Sequence, residues 1–108
     1  MRYECTIPGH EANFVELSDH WTRGDVRQYF ALKGDEYMDF VRSKIVTIHL
    51  QMEDGTAIDT PEKFVNDNID NVHLHVWRWV GMAIQKGVDD LYALGEVNAR
   101  RSLGVSVN

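Results

Sequence analysis

The chain has a single cysteine, Cys5, and only two prolines, Pro8 and Pro61. One thiol excludes an internal disulfide and suits a reducing compartment. Positive charge is scarce: 11 Lys and Arg stand against 17 Asp and Glu, for a net charge of −6 with histidines neutral. Nucleic-acid binding draws its free energy from basic side chains that displace counterions, so this balance argues against it. Arg100-Arg101 is the only adjacent basic pair and makes no patch. The eight glycines are scattered, with no phosphate-cradling loop among them. No apolar run is long enough to span a bilayer, and the opening MRYECTIPGHE lacks the apolar core of a signal peptide. The expectation is a cytoplasmic protein.

With 108 residues, 44% of them hydrophobic, the chain is expected to be one folded domain, 1–108. So short a chain has much surface for its core, so some of its three Trp, four Tyr and four Phe are candidates for a partner interface. The organising stretch is Ile69 to Gly95, the longest proline-free run with a helical period. One stripe runs through Val72, Val76, Trp79/Val80, Ala83, Gly87 and Leu91. A second runs through Trp77, Ile84 and Val88. One face can pack on its own chain; the other calls for a further cover. Asp70 or Asn71 is the expected cap, and Gly95 the expected stop.

Residues 1–17 read as a β-hairpin. Tyr3, Cys5 and Ile7 alternate with polar residues, the turn Pro8-Gly9-His10-Glu11 follows, and Phe14, Val15 and Leu17 return. Residues 22–95 read as a helical body. Thr22 and Asp25 have helix-start spacing, and Val26, Tyr29 and Phe30 share a face that ends by Gly34. Residues 35–52 carry two patterns. Tyr37, Val41, Ile45, Ile48 and Met52 fit a helical stripe, and Asp35/Glu36 suit its positive end. Val46, Ile48, Leu50 and Met52 alternate as in a strand, with Asp54-Gly55 and Thr56-Ala57-Ile58 as a possible return. The helical pattern covers more residues and is preferred. Pro61 starts a further short helix, and residues 96–108 form a tail expected to be partly mobile. The fold class is therefore α+β, mainly α: a short N-terminal hairpin followed by about four helices, the last one long.

No residue set rises to a catalytic, cofactor or metal site. His73 and His75, two apart on a helix, would point to opposite sides. Asp67 and Asp70 read as turn and cap residues, and Asp89 and Asp90 as a solvated face. Cys5 lies near nothing that resembles a nucleophile elbow, and Glu53-Asp54-Gly55-Thr56 lacks the spaced oxygens of a calcium loop. The expectation is a protein without enzymatic activity, cofactor, small-molecule substrate, nucleic-acid or membrane partner. The aromatic residues remain. Trp77 and Trp79 cannot both face one core, and tryptophan is enriched at interfaces. The candidate partner-binding residues are Trp21, Trp77, Trp79, Val80, Ile84 and Val88.

The order of these features resembles a known family. A hairpin leads to SDHWTRGDV, Tyr29-Phe30, EYMDFVRSKIV, the Asp54-Gly55 break, Pro61, a long helix with Trp77, then Leu94-Gly95 and Arg101-Ser102. From about Tyr3 to Ser102 this is similar to the small tail assembly chaperones of long-tailed phages and prophages. Trp21, Asp25 and Trp77 match its recurring positions. The resemblance implies binding to the tape measure protein in the host cytoplasm before the tail tube forms, with no catalytic residues. Helix-in-groove recognition is the expected mode. The alternative is a small structural or homo-oligomeric virion or scaffold protein, with the chain itself as partner.

Overall fold

A computed structural model describes residues 1–104. Four strands form one antiparallel sheet in the order β1 (Arg2–Glu4), β2 (Phe14–Leu17), β3 (Ile45–Gln51) and β4 (Ala57–Ile58). Four helices accompany it: α1 (Arg23–Ala31), α2 (Gly34–Lys44), the single turn α3 (Asn66–Ile69), and α4 (Leu74–Ser102). A 3₁₀ turn, Pro61–Lys63, has its proline in the first turn. The chain is α+β and mainly α, with the long helix last.

The expected hairpin forms, with Tyr3 opposite Val15 and Arg2 opposite Glu16. Its loop is tied by Asn13, which is fully buried. The Asn13 side chain donates to the His10 carbonyl at 2.8 Å and accepts from the Gln51 N–H at 2.7 Å. A buried amide is tolerated only when its polar atoms are paired, and here both are.

Residues 35–52 are not one helix. The helix ends at Lys44 and the strand begins at Ile45 with no loop between them. Asp35 and Glu36 sit in the first turn of α2, and Arg42 and Lys44 in the last, as the helix dipole favours. The β-branched run Ile45-Val46-Thr47-Ile48 then favours a strand, and the hairpin needs a third strand to bury its inner face. The alternation is also shifted. The β2–β3 register slips between Glu16 and Leu17, pairing Glu16 with Thr47 but Leu17 with Ile45. Val46 is the extra residue and lies exposed, while Ile45, Ile48 and Leu50 are buried.

The long helix starts and stops later than its sequence pattern indicates. His73, not Asp70 or Asn71, is the N-cap: its Nδ1 accepts from the His75 N–H at 3.0 Å. Gly95 lies inside the helix, and the stop comes at Leu103, followed by Gly104 with a φ of +76°. The expected mobile tail, 96–108, is helical through Ser102, and residues 105–108 lie outside the described residues. Val76, Val80, Ala83, Ile84, Gly87 and Val88 of α4 are buried in one core with Val15, Leu17, Ile48, Leu50 and Ile58 of the sheet and Tyr29, Met38, Phe40 and Val41 of α1 and α2. The other sheet face is largely polar, with the Arg2 guanidinium 3.8 Å from the Phe14 ring centroid.

Gly87 marks the closest approach of α4 to the sheet: a Cβ there would lie 2.8 Å from Leu17 Cδ1 and 3.5 Å from Tyr3 Cε2. Gly95 has no such neighbour within 4 Å. Substituting the two should therefore have opposite effects. Gly87→Leu overfills the crossing and should cost about 1–3 kcal/mol. Gly95→Ala removes backbone freedom from a mid-helix position and should stabilise by about 0.5–1 kcal/mol. Urea midpoints read both, and a loss of stability in Gly95→Ala would place the helix end at Gly95 after all.

Candidate partner-binding groove

The groove is built from Trp21 outward. The Trp21 indole N–H donates to the Ser18 carbonyl at 2.8 Å. Its ring meets Tyr29 and Phe40 edge-on, at centroid distances of 6.0 and 5.6 Å. The Lys44 ammonium lies 5.3 Å from the ring centroid and also reaches Asp25 Oδ2 at 2.8 Å and the His20 carbonyl at 3.0 Å. Asp25 completes a reciprocal cap with Thr22, each side chain accepting from the other's backbone N–H. The hydrogen bond from Lys44, then that from the Thr22 N–H, holds the Asp25 carboxyl below its ordinary range. The start of α1 is thus fixed against the end of α2.

Opposite Trp21 and Val26 runs α4. After Val88 it has no buried residue, so residues 89–102, roughly 20 Å of helix, extend beyond the core. Between this arm and α1 lies a groove of about 680 Å³, lined by Trp21, Val26, Val88, Leu91, Tyr92 and Gly95 among others. A second hollow of about 440 Å³ continues it along α1, past Val26 and Phe30, with Tyr92 shared. Tyr92 and Phe30 are 60% and 62% exposed, which is why the groove is apolar yet open. Arg23 and Arg27 stand on its α1 rim and Glu96 on its α4 rim.

The candidate residues divide around this groove. Trp21 borders it, half-buried. Val88 lines it but is only 1% exposed. Val80 of the first stripe is sealed in the core, and so are Ile84 and Val88 of the second, so the expectation that the second stripe needs a further cover is corrected. Trp77 packs toward Phe64 at 6.1 Å and Trp79 is half-buried against the same core; neither lines the groove. The apolar residues that reach past the core are a different set. At 3.6 residues per turn, Leu91, Tyr92 and Gly95 follow Ile84 and Val88 on one helix face. Tyr92 and Phe30 do not stand out in the sequence: Tyr92 falls in neither stripe, and Phe30 shares its expected face with Tyr29, which is buried while Phe30 is 62% exposed.

The histidines also sit differently. Because His73 is the N-cap and not yet helical, its ring comes within 4.8 Å of His75 and 5.0 Å of His10, centroid to centroid. No group of three metal-capable side chains forms a candidate site among the described residues. No helix among them is long and apolar enough to cross a membrane.

The arm is anchored at its root. The Tyr3 hydroxyl donates to Asp90 Oδ2 at 2.7 Å, and Lys86 Nζ reaches Asp90 Oδ1 at 3.1 Å. Burial, then the Asp90 contact, pushes the Tyr3 phenol from an ordinary 10 to about 12. The Tyr3 hydrogen bond, then Lys86, lowers the Asp90 pKa. A lowered carboxylate supports the fold above its unfolded pKa and loses that support as pH falls. A raised phenol supports it below pH 10 and loses that support as pH rises toward 12. Tyr3→Phe should thus be less stable than the parent chain at pH 7, with the gap narrowing below about pH 4. Urea midpoints across pH should also show the gap closing from pH 10 toward 12, since only the parent loses the Tyr3 contribution there. No family model, curated protein or solved structure matches the chain.

Proposed function

We propose that this chain is a phage tail assembly chaperone that holds an amphipathic helix of the tape measure protein in the groove between α1 and the α4 arm. The observation that carries the reading is the open apolar trough of Trp21, Val26, Leu91 and Tyr92, continued by Phe30. It has the shape and lining that a helix needs to bury one face. The resemblance of the sequence to that family supplies the identity of the partner. The role is non-enzymatic, in the host bacterial cytoplasm: apolar segments of a long helical protein are sheltered until the tube forms around them.

The rim refines the expected chemistry of the bound segment. The chain is acidic overall, yet Arg23 and Arg27 flank the α1 side of the groove. A client helix with acidic residues beside its apolar stripe fits that edge. Charges on an interface rim act mainly on association rate and partner choice.

Gel filtration of the protein with overlapping tape measure fragments should show co-elution with at least one fragment, accompanied by a shift in tryptophan emission as Trp21 is covered. Tyr92→Glu, at an exposed position, should leave the fold intact and weaken that complex at least about tenfold. Absence of co-elution with every fragment would sink the proposal.

A further inference from the structure

The groove uses one face of the α4 arm, and the opposite face carries a different pattern. Asp90, Leu94, Val97 and Arg101 are spaced four, three and four residues apart, which puts them within one narrow stripe. Leu94 is 56% exposed although it is apolar. Val97 is half-buried and Arg101 exposed. Arg101 has no ion-pair partner among the described residues, whereas Arg100 beside it pairs with Glu96 at 2.7 Å. The stripe is acidic at the root of the arm, apolar in the middle and basic at the tip.

From this order we infer that the arm is a self-association surface whose occupant is the arm of a second copy, lying antiparallel. The midpoint of the four residues falls between Gly95 and Glu96. Inverting the stripe about that point sets Leu94 against Val97 of the second copy, and Asp90 against Arg101 of the second copy. Both contacts then occur twice, which is the signature of a two-fold, isologous interface. A parallel pairing would oppose like charges at both ends, so the charge order selects the antiparallel one. Asp90 keeps its bonds from Tyr3 and Lys86 and is met by Arg101 of the second copy through its remaining lone pairs, whereas Arg100 stays with Glu96 on its own helix. Both chains carry a net charge of −6, so overall repulsion opposes the pairing and the attraction is local. Two short arms bury less than a standard interface, and the dimer is a weak one. The groove lies on the other side of each arm and stays open in it.

Sedimentation equilibrium tests this on the full chain. At about 100 μM the protein should populate a reversible dimer. Leu94→Glu should sediment as a monomer with unchanged circular dichroism, because the residue is already exposed. Tyr92→Glu, on the groove face, should leave the dimer intact, so this test is independent of tape measure binding. A charge exchange examines the register. Arg101→Asp alone sets two carboxylates together at each end, and Asp90→Arg alone sets two guanidiniums together; each should be monomeric, and unchanged helical circular dichroism in Asp90→Arg, which gives up the Tyr3 and Lys86 contacts, is the control that the arm is still formed. Mixed one to one, the two variants regain opposite charges at both ends, and a dimer should return. A parent chain that stays monomeric at about 1 mM, a dimer that survives Leu94→Glu, or a mixture that fails to pair would each overturn the inference.

Discussion

Everything in this fold depends on how closely α4 lies across the sheet. That closeness is possible because residue 87 has no side chain and Leu17 fills the space instead. The helix is longer than the sheet it covers: its buried residues run from Val76 to Val88, and the remainder continues past the core. The root of that remainder is pinned by the hydrogen bond from Tyr3 to Asp90. A helix fixed so firmly at one end and uncovered at the other presents rigid apolar surface, and rigid surface loses little conformational entropy on binding.

The overhang separates two faces of one element. Toward α1 it closes a groove with Trp21, Val26 and Tyr92. Away from α1 it carries Leu94 and Val97 between charges of opposite sign. Neither face is explained by the core, which is complete without them. The local charge also departs from the average. A chain that is acidic in sum offers a basic edge along α1, because Arg23 and Arg27 fall on the exposed side of a helix whose other side holds Tyr29 in the core. Net charge bounds solubility and nonspecific partners; it says little about one rim.

Much of the fold was legible in the residues. The hairpin follows from its alternation and turn, the start of α1 from Thr22 and Asp25, and the core stripe of α4 from its period. What failed to show had specific causes. Ile45 to Gln51 fits both periods, and the choice between them is made by a distant partner: β2 needs a neighbour, and strand pairing is a tertiary demand that propensity does not report. The slip at Glu16/Leu17 moved Val46 outward and hid the alternation further. Gly95 resembles a stop, but a glycine ends a helix only when the next residues turn away, and Glu96, Ala99, Arg100 and Arg101 beyond it are good helix formers. A stop at Gly95 leaves out only the last two turns of the arm, Glu96 to Ser102. The stripe of Trp77, Ile84 and Val88 is not the uncovered surface its period suggests: the chain buries Ile84 and Val88 in its own core, half-covers Trp77 and leaves Tyr92 exposed instead.

The junction between α2 and β3 has no loop: Lys44 closes the helix and Ile45 is already paired with Leu17. Two elements joined without slack are geared to each other. One residue added or removed at the seam would swing Met38, Phe40 and Val41 by about 100° around the helix axis, or flip the strand's inner side chains outward. The exposed turn at Asp54-Gly55, by contrast, can absorb a change of length at lower cost. Tolerance to insertion in this chain is thus sharply uneven, and its least forgiving point is the seam whose Lys44 also braces Trp21 and Asp25.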